Sequence, residues 1–296
     1  MPSPLDLADL TFLREALLEL VLLAVTGGVL GAWIVLRRLA FFSHAAGSAT
    51  FPGLVAADAS GISPTLAGIA VALTYAGGVQ RTGGGASGGA SRDHGEGTAL
   101  LLVAALATGV ILASDVFESG AAVDRLLFGT LLGLDTADLV LSALVATLAV
   151  AGAIGLGRTW SAVGFDPDGA RALGLQAGRA DLLLLALVAV AAVAAIPAVG
   201  ALLVTAIYVL PAAAARMVTG SIRGLVACAL GVALAEGVVG LYLAYWLDIP
   251  AGPPVAVLGA TVCLLLAAIT RWSARPTGRA LASATCPAAS ASAPCS

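Results

Sequence analysis

Three polar side chains stand out because they lie inside long apolar runs. His44 lies near the start of one run, Ser48 follows it four residues later, and Glu236 lies within the run from Ala227 to Leu247. Residues four apart share one face of a helix. A neutral imidazole is a common ligand for divalent transition metals, and a carboxylate supplies negative charge. The pattern therefore predicts a transient metal path along His44, Ser48 and Glu236.

Each of these residues also has a purely structural interpretation. His44 can be bonded to a neighbouring backbone carbonyl, and Glu236 can be a protonated acid bonded to an adjacent helix. An ionisable group in hydrocarbon costs about 3 kcal/mol or more, so a functional reason is favoured by default. Glu236 is interpreted as the only acidic residue that would not lie at the end of a span if the predicted boundaries were shifted by a few residues. Pro52 and Gly53 are expected to interrupt the helix of His44 and to free carbonyls beside it.

The elements that position these residues are predicted from composition. The chain has 296 residues, of which 60% are hydrophobic and 10% charged, whereas soluble domains carry about 25% charged residues. A soluble enzyme is excluded, and an all-α polytopic membrane protein is predicted. Stretches of about 20 apolar residues cross a bilayer, and nine such spans are expected, at 12–36, 41–58, 62–80, 98–115, 135–157, 180–197, 199–216, 222–247 and 254–271.

The orientation is predicted from arginine, which accounts for all 14 basic residues. With nine spans and a cytoplasmic C-terminus, only Arg14 and Arg125 lie outside and the remaining 12 lie inside, as the positive-inside rule favours. The absence of lysine excludes a Walker A site, so any ATP must be hydrolysed by another chain. No basic block suggests nucleic acid. The permease domain is expected over 1–272, with a disordered Ala/Ser/Pro-rich tail over 273–296.

One cytoplasmic segment is predicted to be structured. Residues 165–175 begin with a turn sequence, continue as a short helical stretch and close at Gly174. The segment is too short and too polar to cross the membrane. It is interpreted as a docking element for a soluble partner, with a plain connector as the alternative.

Five segments of the chain are distinctive in this order: Gly31–Phe42, Leu127–Leu132, Phe165–Leu175, Val199–Arg216 and Asp248–Pro253. Together they resemble segments of one family, the permease subunits of zinc/manganese/iron ABC importers. The resemblance covers about residues 20–270.

The resemblance implies a type II importer permease in the cytoplasmic membrane. Such a permease pairs with a second permease copy and two ATPase subunits, and receives a divalent metal from an extracytoplasmic metal-binding protein. ATP stays on the partner subunit, and no cofactor is bound permanently. The segment at about 165–176 would then be the coupling element, with Ala170, Gly174 and Leu175 in register with the family.

The chain departs from the family at one important place. The family typically has an Asp and a His four residues apart early in the second span, whereas this chain has His44 and Ser48 at those positions. Glu236 is then expected to supply the missing carboxylate. Two alternatives remain: a permease for a metal chelate of the siderophore or cobalamin type, and a membrane scaffold that transports nothing.

Overall fold

The chain folds into helices throughout the part that the structure describes. The computed structural model describes residues 11–83, 95–116, 129, 134–201, 203–247, 249–250 and 252–273. No strand occurs among these residues, so the predicted all-α class is confirmed. The helices are α1 Thr11–Leu36, α2 Ala40–Ser48, α3 Phe51–Ser60, α4 Pro64–Gly83, α5 Gly95–Ile111 with a π-helical turn Leu112–Val116, α6 Thr136–Phe165, α7 Pro167–Ala172, α8 Ala177–Val199, α9 Val204–Val218, α10 Ile222–Leu247 and α11 Gly252–Ser273.

The described helices agree broadly with the nine predicted spans. Six of them are long and apolar enough to cross a membrane by length and composition, namely α1, α5, α6, α8, α10 and α11. The other three predicted spans correspond to the pair α2 and α3, to α4, and to the 15-residue helix α9. The 273–296 tail beyond Ser273, and the 127–132 segment apart from Gly129, lie outside the described residues.

The break between α2 and α3 falls earlier than the sequence predicted. The helix is interrupted at Ala49 and Thr50, and Pro52 belongs to the first turn of α3. Proline is well tolerated in a first turn because its missing N–H has no intrahelical partner there. The Thr50 hydroxyl donates to the Gly47 carbonyl at 2.6 Å, which satisfies one acceptor at the interruption.

Helix α1 packs closely against α9 and α10 through glycines. A Cβ at Gly31 would lie 2.3 Å from the Tyr208 carbonyl oxygen, and one at Gly28 would lie 2.8 Å from the Leu230 Cα. Small residues let helix backbones approach closely in a membrane, where no hydrophobic effect drives helices together. The first span therefore lies in the interior of the bundle, with α6 packed on another side.

Two helices have bounds that differ from those of the predicted spans. Helix α6 continues to Phe165, beyond the predicted span at 135–157, because Arg158 and the polar residues after it extend the helix out of the apolar region. Helix α9 begins at Val204, within the predicted span at 199–216, because Gly200, at φ 78°, ends α8 and starts a turn.

Candidate functional site

The His44 and Ser48 side chains lie along one partly open edge of α2. Both are half-buried, and Phe41, one turn before His44, is exposed. The intervening residues Phe42, Ser43, Ala45, Ala46 and Gly47 are all buried. Helix α2 packs chiefly against α8, α5 and α9. The His44–Ser48 edge is thus the part of α2 that the single chain leaves partly uncovered.

The helix interruption adds an oxygen to this edge. In a continuous helix the N–H of residue 52 donates to the carbonyl of residue 48. The helix is interrupted before Pro52, which has no N–H in any case, so residue 52 does not donate to the Ser48 carbonyl. An imidazole, a hydroxyl and a backbone carbonyl therefore lie within about one turn, and oxygen and imidazole ligands suit divalent first-row metals.

Glu236 is a buried carboxylate at a different place in the bundle. It lies on α10 and is 5% exposed, and its Oε1 has no hydrogen-bond partner among the described residues. Its Oε2 faces Gly259 on α11 so closely that a Cβ there would lie 2.9 Å away. The absent side chain at Gly259 thus provides the space that the carboxylate occupies.

His44 and Glu236 lie on helices that do not pack extensively against each other. Helix α10 packs chiefly against α1, α9 and α11, whereas α2 packs chiefly against α8, α5 and α9. No group of three or more His, Cys, Asp or Glu residues able to hold a metal occurs in the described chain. A metal path along His44, Ser48 and Glu236 therefore stays a prediction.

The sequence interpretation missed a second buried acid, Glu19. Its side chain is completely buried in α1, and its Oε1 accepts a 2.6 Å hydrogen bond from the Ser142 hydroxyl of α6. Its Oε2 has no partner among the described residues. Glu236 is thus not the only buried acid in the described helices. The available signal was that Glu19 shares a helical face with Ala16, Leu20 and Leu23, which are apolar and buried.

A polar network joins α1, α6 and α8 beside α7. The Arg37 guanidinium pairs with the buried Asp181 carboxylate and also donates to the Trp160 carbonyl at 3.1 Å. The Trp160 indole N–H donates to the Ala180 carbonyl at 3.0 Å, and its ring meets Trp33 edge to face. A charge pair that is buried and further hydrogen-bonded holds its elements in one arrangement. The network fixes the end of α1 to the two helices that flank α7.

The coupling residues singled out by the sequence have different roles in the fold. Ala170 is buried in a small cluster with Val163 and Ala177, against which Leu175 packs, so Ala170 anchors α7 to the chain itself. Gly174 has a φ of 75°, and a Cβ there would meet no atom within 4 Å. Glycine is therefore required by the backbone turn and not by crowding within this chain.

Two large apolar side chains are exposed at this segment, next to the exposed acids Asp166 and Asp168. Phe165 is 76% exposed and Leu173 is 79% exposed, one on each side of α7. This is the segment that the sequence predicts as a docking element for a soluble partner. We call Phe165, α7 and Leu173 together the docking end. Phe165 and Leu173 were part of the family-like stretch but were not selected from the sequence.

The comparisons with known proteins agree with this architecture. The family model described as ABC 3 transport family matches residues 9–271. The manganese transport system membrane protein MntC of Halalkalibacterium halodurans is 26% identical over 88% of each chain. A probable iron transport system membrane protein of Haemophilus influenzae is 25% identical over 88% of this chain and 94% of its own.

A solved structure has the same fold. In PsaBC from Streptococcus pneumoniae, determined in complex with Fab, the matching chain is 23% identical and superposes with a TM-score of 0.75 over 88% of this chain and 92% of its own. The resemblance noted in the sequence is confirmed, since the family match spans nearly the whole region that carried it. This chain belongs to the ABC 3 transport family.

Proposed function

We propose that this chain is the permease subunit that carries a divalent metal ion of the manganese or zinc class inward. A family member of this kind is the membrane component of an ABC transporter and is not itself an enzyme. It works with a separate ATPase, a second permease copy and an extracytoplasmic metal-binding protein. The names of its relatives point to manganese first and iron second.

The observation that carries the proposal is the partly open edge of α2. His44 and Ser48 are half-buried among buried neighbours, with the Ser48 carbonyl at the helix interruption beside them. A second copy that faces this edge would place two such edges around one path. Few ligands suffice there, because a transported ion must bind weakly enough to leave. Glu236 would act by attracting the cation.

The metal is tested by deleting the gene and measuring cellular manganese, zinc and iron by mass spectrometry. We expect manganese to fall in growth medium poor in manganese and to recover when the full chain is restored. Cellular manganese should not recover when the partner ATPase carries an inactivating substitution. This result distinguishes import from a scaffold role. Unchanged content of all three metals in the deletion strain would contradict the proposal.

The orientation proposed with this function places the N-terminus outside and the docking end in the cytoplasm. It is supported by the arginines, of which 12 lie inside and 2 lie outside in this orientation. A single cysteine at position 90, in a chain without its four native cysteines, should resist a membrane-impermeant reagent in intact cells and react after permeabilisation. Equal labelling before and after permeabilisation would refute the orientation.

A further inference from the structure

A groove lies between α4 and α8 on the outer surface of the bundle. Its volume is about 460 Å³, and it is lined by Leu73, Thr74, Gly77, Gln80, Arg81 and Leu182. Five of these residues come from one stripe of α4, and Leu182 comes from α8. None of them belongs to the α2 edge or to the docking end.

The groove exists because α4 has a glycine where a side chain would fill the space. A Cβ at Gly77 would meet no atom within 4 Å, although α4 and α8 pack extensively elsewhere along their lengths. The Gln80 carboxamide donates to the Gly178 carbonyl at 3.2 Å and so fixes the polar end of the groove to α8. Its Oε1 is buried and lacks a hydrogen-bond partner among the described residues.

The polar end of the groove lies on the same side of the membrane as the docking end. Gln80 is bonded to Gly178, which lies in the first turn of α8, soon after α7 ends at Ala172. Thr74 is seven residues before Arg81, so it lies about 10 Å deeper along α4. The groove thus runs from the membrane boundary into one leaflet.

The lining changes from charged to apolar along this direction. Arg81, in the last turn of α4, is exposed at the boundary, whereas Leu73 and Leu182 are large exposed apolar side chains. A guanidinium binds phosphate oxygens through two parallel hydrogen bonds. Basic pockets between spans on the cytoplasmic side bind acidic lipid headgroups. Arg81 is the one charged residue among the lining residues that the structure describes, so a headgroup with a single phosphate charge matches the groove.

We propose that this groove binds one anionic glycerophospholipid, with phosphatidylglycerol as the lipid that fits its chemistry. The phosphate pairs with Arg81, the headgroup lies beside Gln80, and an acyl chain lies over Gly77 between Leu73 and Leu182. The proposal rests on the orientation proposed above, which places this end of α4 in the cytoplasm. It does not depend on which metal is carried.

The test is native mass spectrometry of the purified full-length chain from nanodiscs that contain equal amounts of phosphatidylglycerol and phosphatidylcholine. The wild-type chain should retain one phosphatidylglycerol preferentially. Arg81→Gln should lower that retention about fivefold, as expected for loss of one basic contact near the membrane surface. Gly77→Leu should lower it similarly by filling the groove.

Matched controls are available in the same chain. Arg271 is the last-turn arginine of α11, and Gly155 of α6 is another glycine whose Cβ would meet no atom within 4 Å. Arg271→Gln and Gly155→Leu should therefore retain phosphatidylglycerol like the wild type.

Three results would overturn the proposal. Equal retention of both lipids by the wild type would show that the groove does not select an anion. Displacement by millimolar glycerol phosphate would show a soluble phosphate site. A Gly77→Leu chain that loses its second copy in the same spectra would show that the groove is a subunit interface.

Discussion

A Leu173→Asp chain is expected to insert normally, to lose its ATPase subunit and to abolish metal uptake. Leu173 is almost fully exposed next to α7, so its replacement costs the isolated fold little. In a docked complex the same position would be covered, and an unpaired carboxylate buried at an interface costs several kcal/mol. Co-purification of the ATPase and uptake of radioactive manganese are the two measurements.

The control for this prediction is another exposed apolar residue near the same end of the bundle. Val218, at the end of α9 near Arg216, is also exposed. Val218→Asp should keep the ATPase and the uptake, because it lies outside the docking end. A Leu173→Asp chain that still co-purifies with the ATPase in wild-type amounts would show that this segment is only a connector.

Gly174 allows a related comparison that separates backbone strain from crowding. The positive φ of Gly174 is unfavourable for a β-branched residue, whereas asparagine can adopt it. If the turn is what matters, Gly174→Asn should behave nearly like the wild type and Gly174→Val should couple poorly. If the space is needed by the ATPase, both should fail, and Gly174→Trp should fail in either case.

Replacing His44 with alanine is expected to lower manganese uptake about tenfold, equal to about 1.4 kcal/mol, with normal expression and dimerisation. The imidazole is the only nitrogen ligand on the α2 edge, and the remaining oxygens bind a divalent ion weakly. Uptake at several manganese concentrations should show the loss mainly at low concentration. Ser48→Ala should have a smaller effect, because the neighbouring carbonyl remains.

Two variants make this prediction specific. Ser43 is buried beside His44, and its hydroxyl has no partner in the described chain, so Ser43→Ala should be neutral. The double variant His44→Asp, Ser48→His restores the arrangement typical of the family and should recover uptake. Full uptake by a well-expressed His44→Ala, Glu236→Ala chain would show that neither side chain is needed for transport and would contradict the proposed path.

The order and the class of the elements could be predicted because they depend on local sequence. Apolar runs of bilayer length fix where helices form, and Pro52 and Gly200 fix where they are interrupted, within a few residues. Helix α6 runs past its predicted span because helix propensity continues after hydropathy stops, and a span is defined by hydropathy. A prediction of spans from apolarity does not detect the part of a helix that extends into water.

The candidate site was less predictable because its properties depend on distant partners. Glu19 and Ser142 are 123 residues apart, and no spacing rule connects residues on different helices. Glu236 was recognised as buried, but the reason that it fits, the absent side chain at Gly259, comes from another helix. Likewise, only the folded segment shows that Leu173 is exposed and that Ala170 is buried.

The burial of α1 has a consequence for how the protein is made. Helix α1 is synthesised before α6 and α8, so Arg37 finds Asp181 only 144 residues later, and Glu19 finds Ser142 only 123 residues later. At a synthesis rate of about 5–20 residues per second, these groups wait on the order of ten seconds for their partners. During that time an acid in the first span faces lipid or the insertion machinery alone. Correct biogenesis therefore depends on holding the first span until the middle of the chain has been inserted.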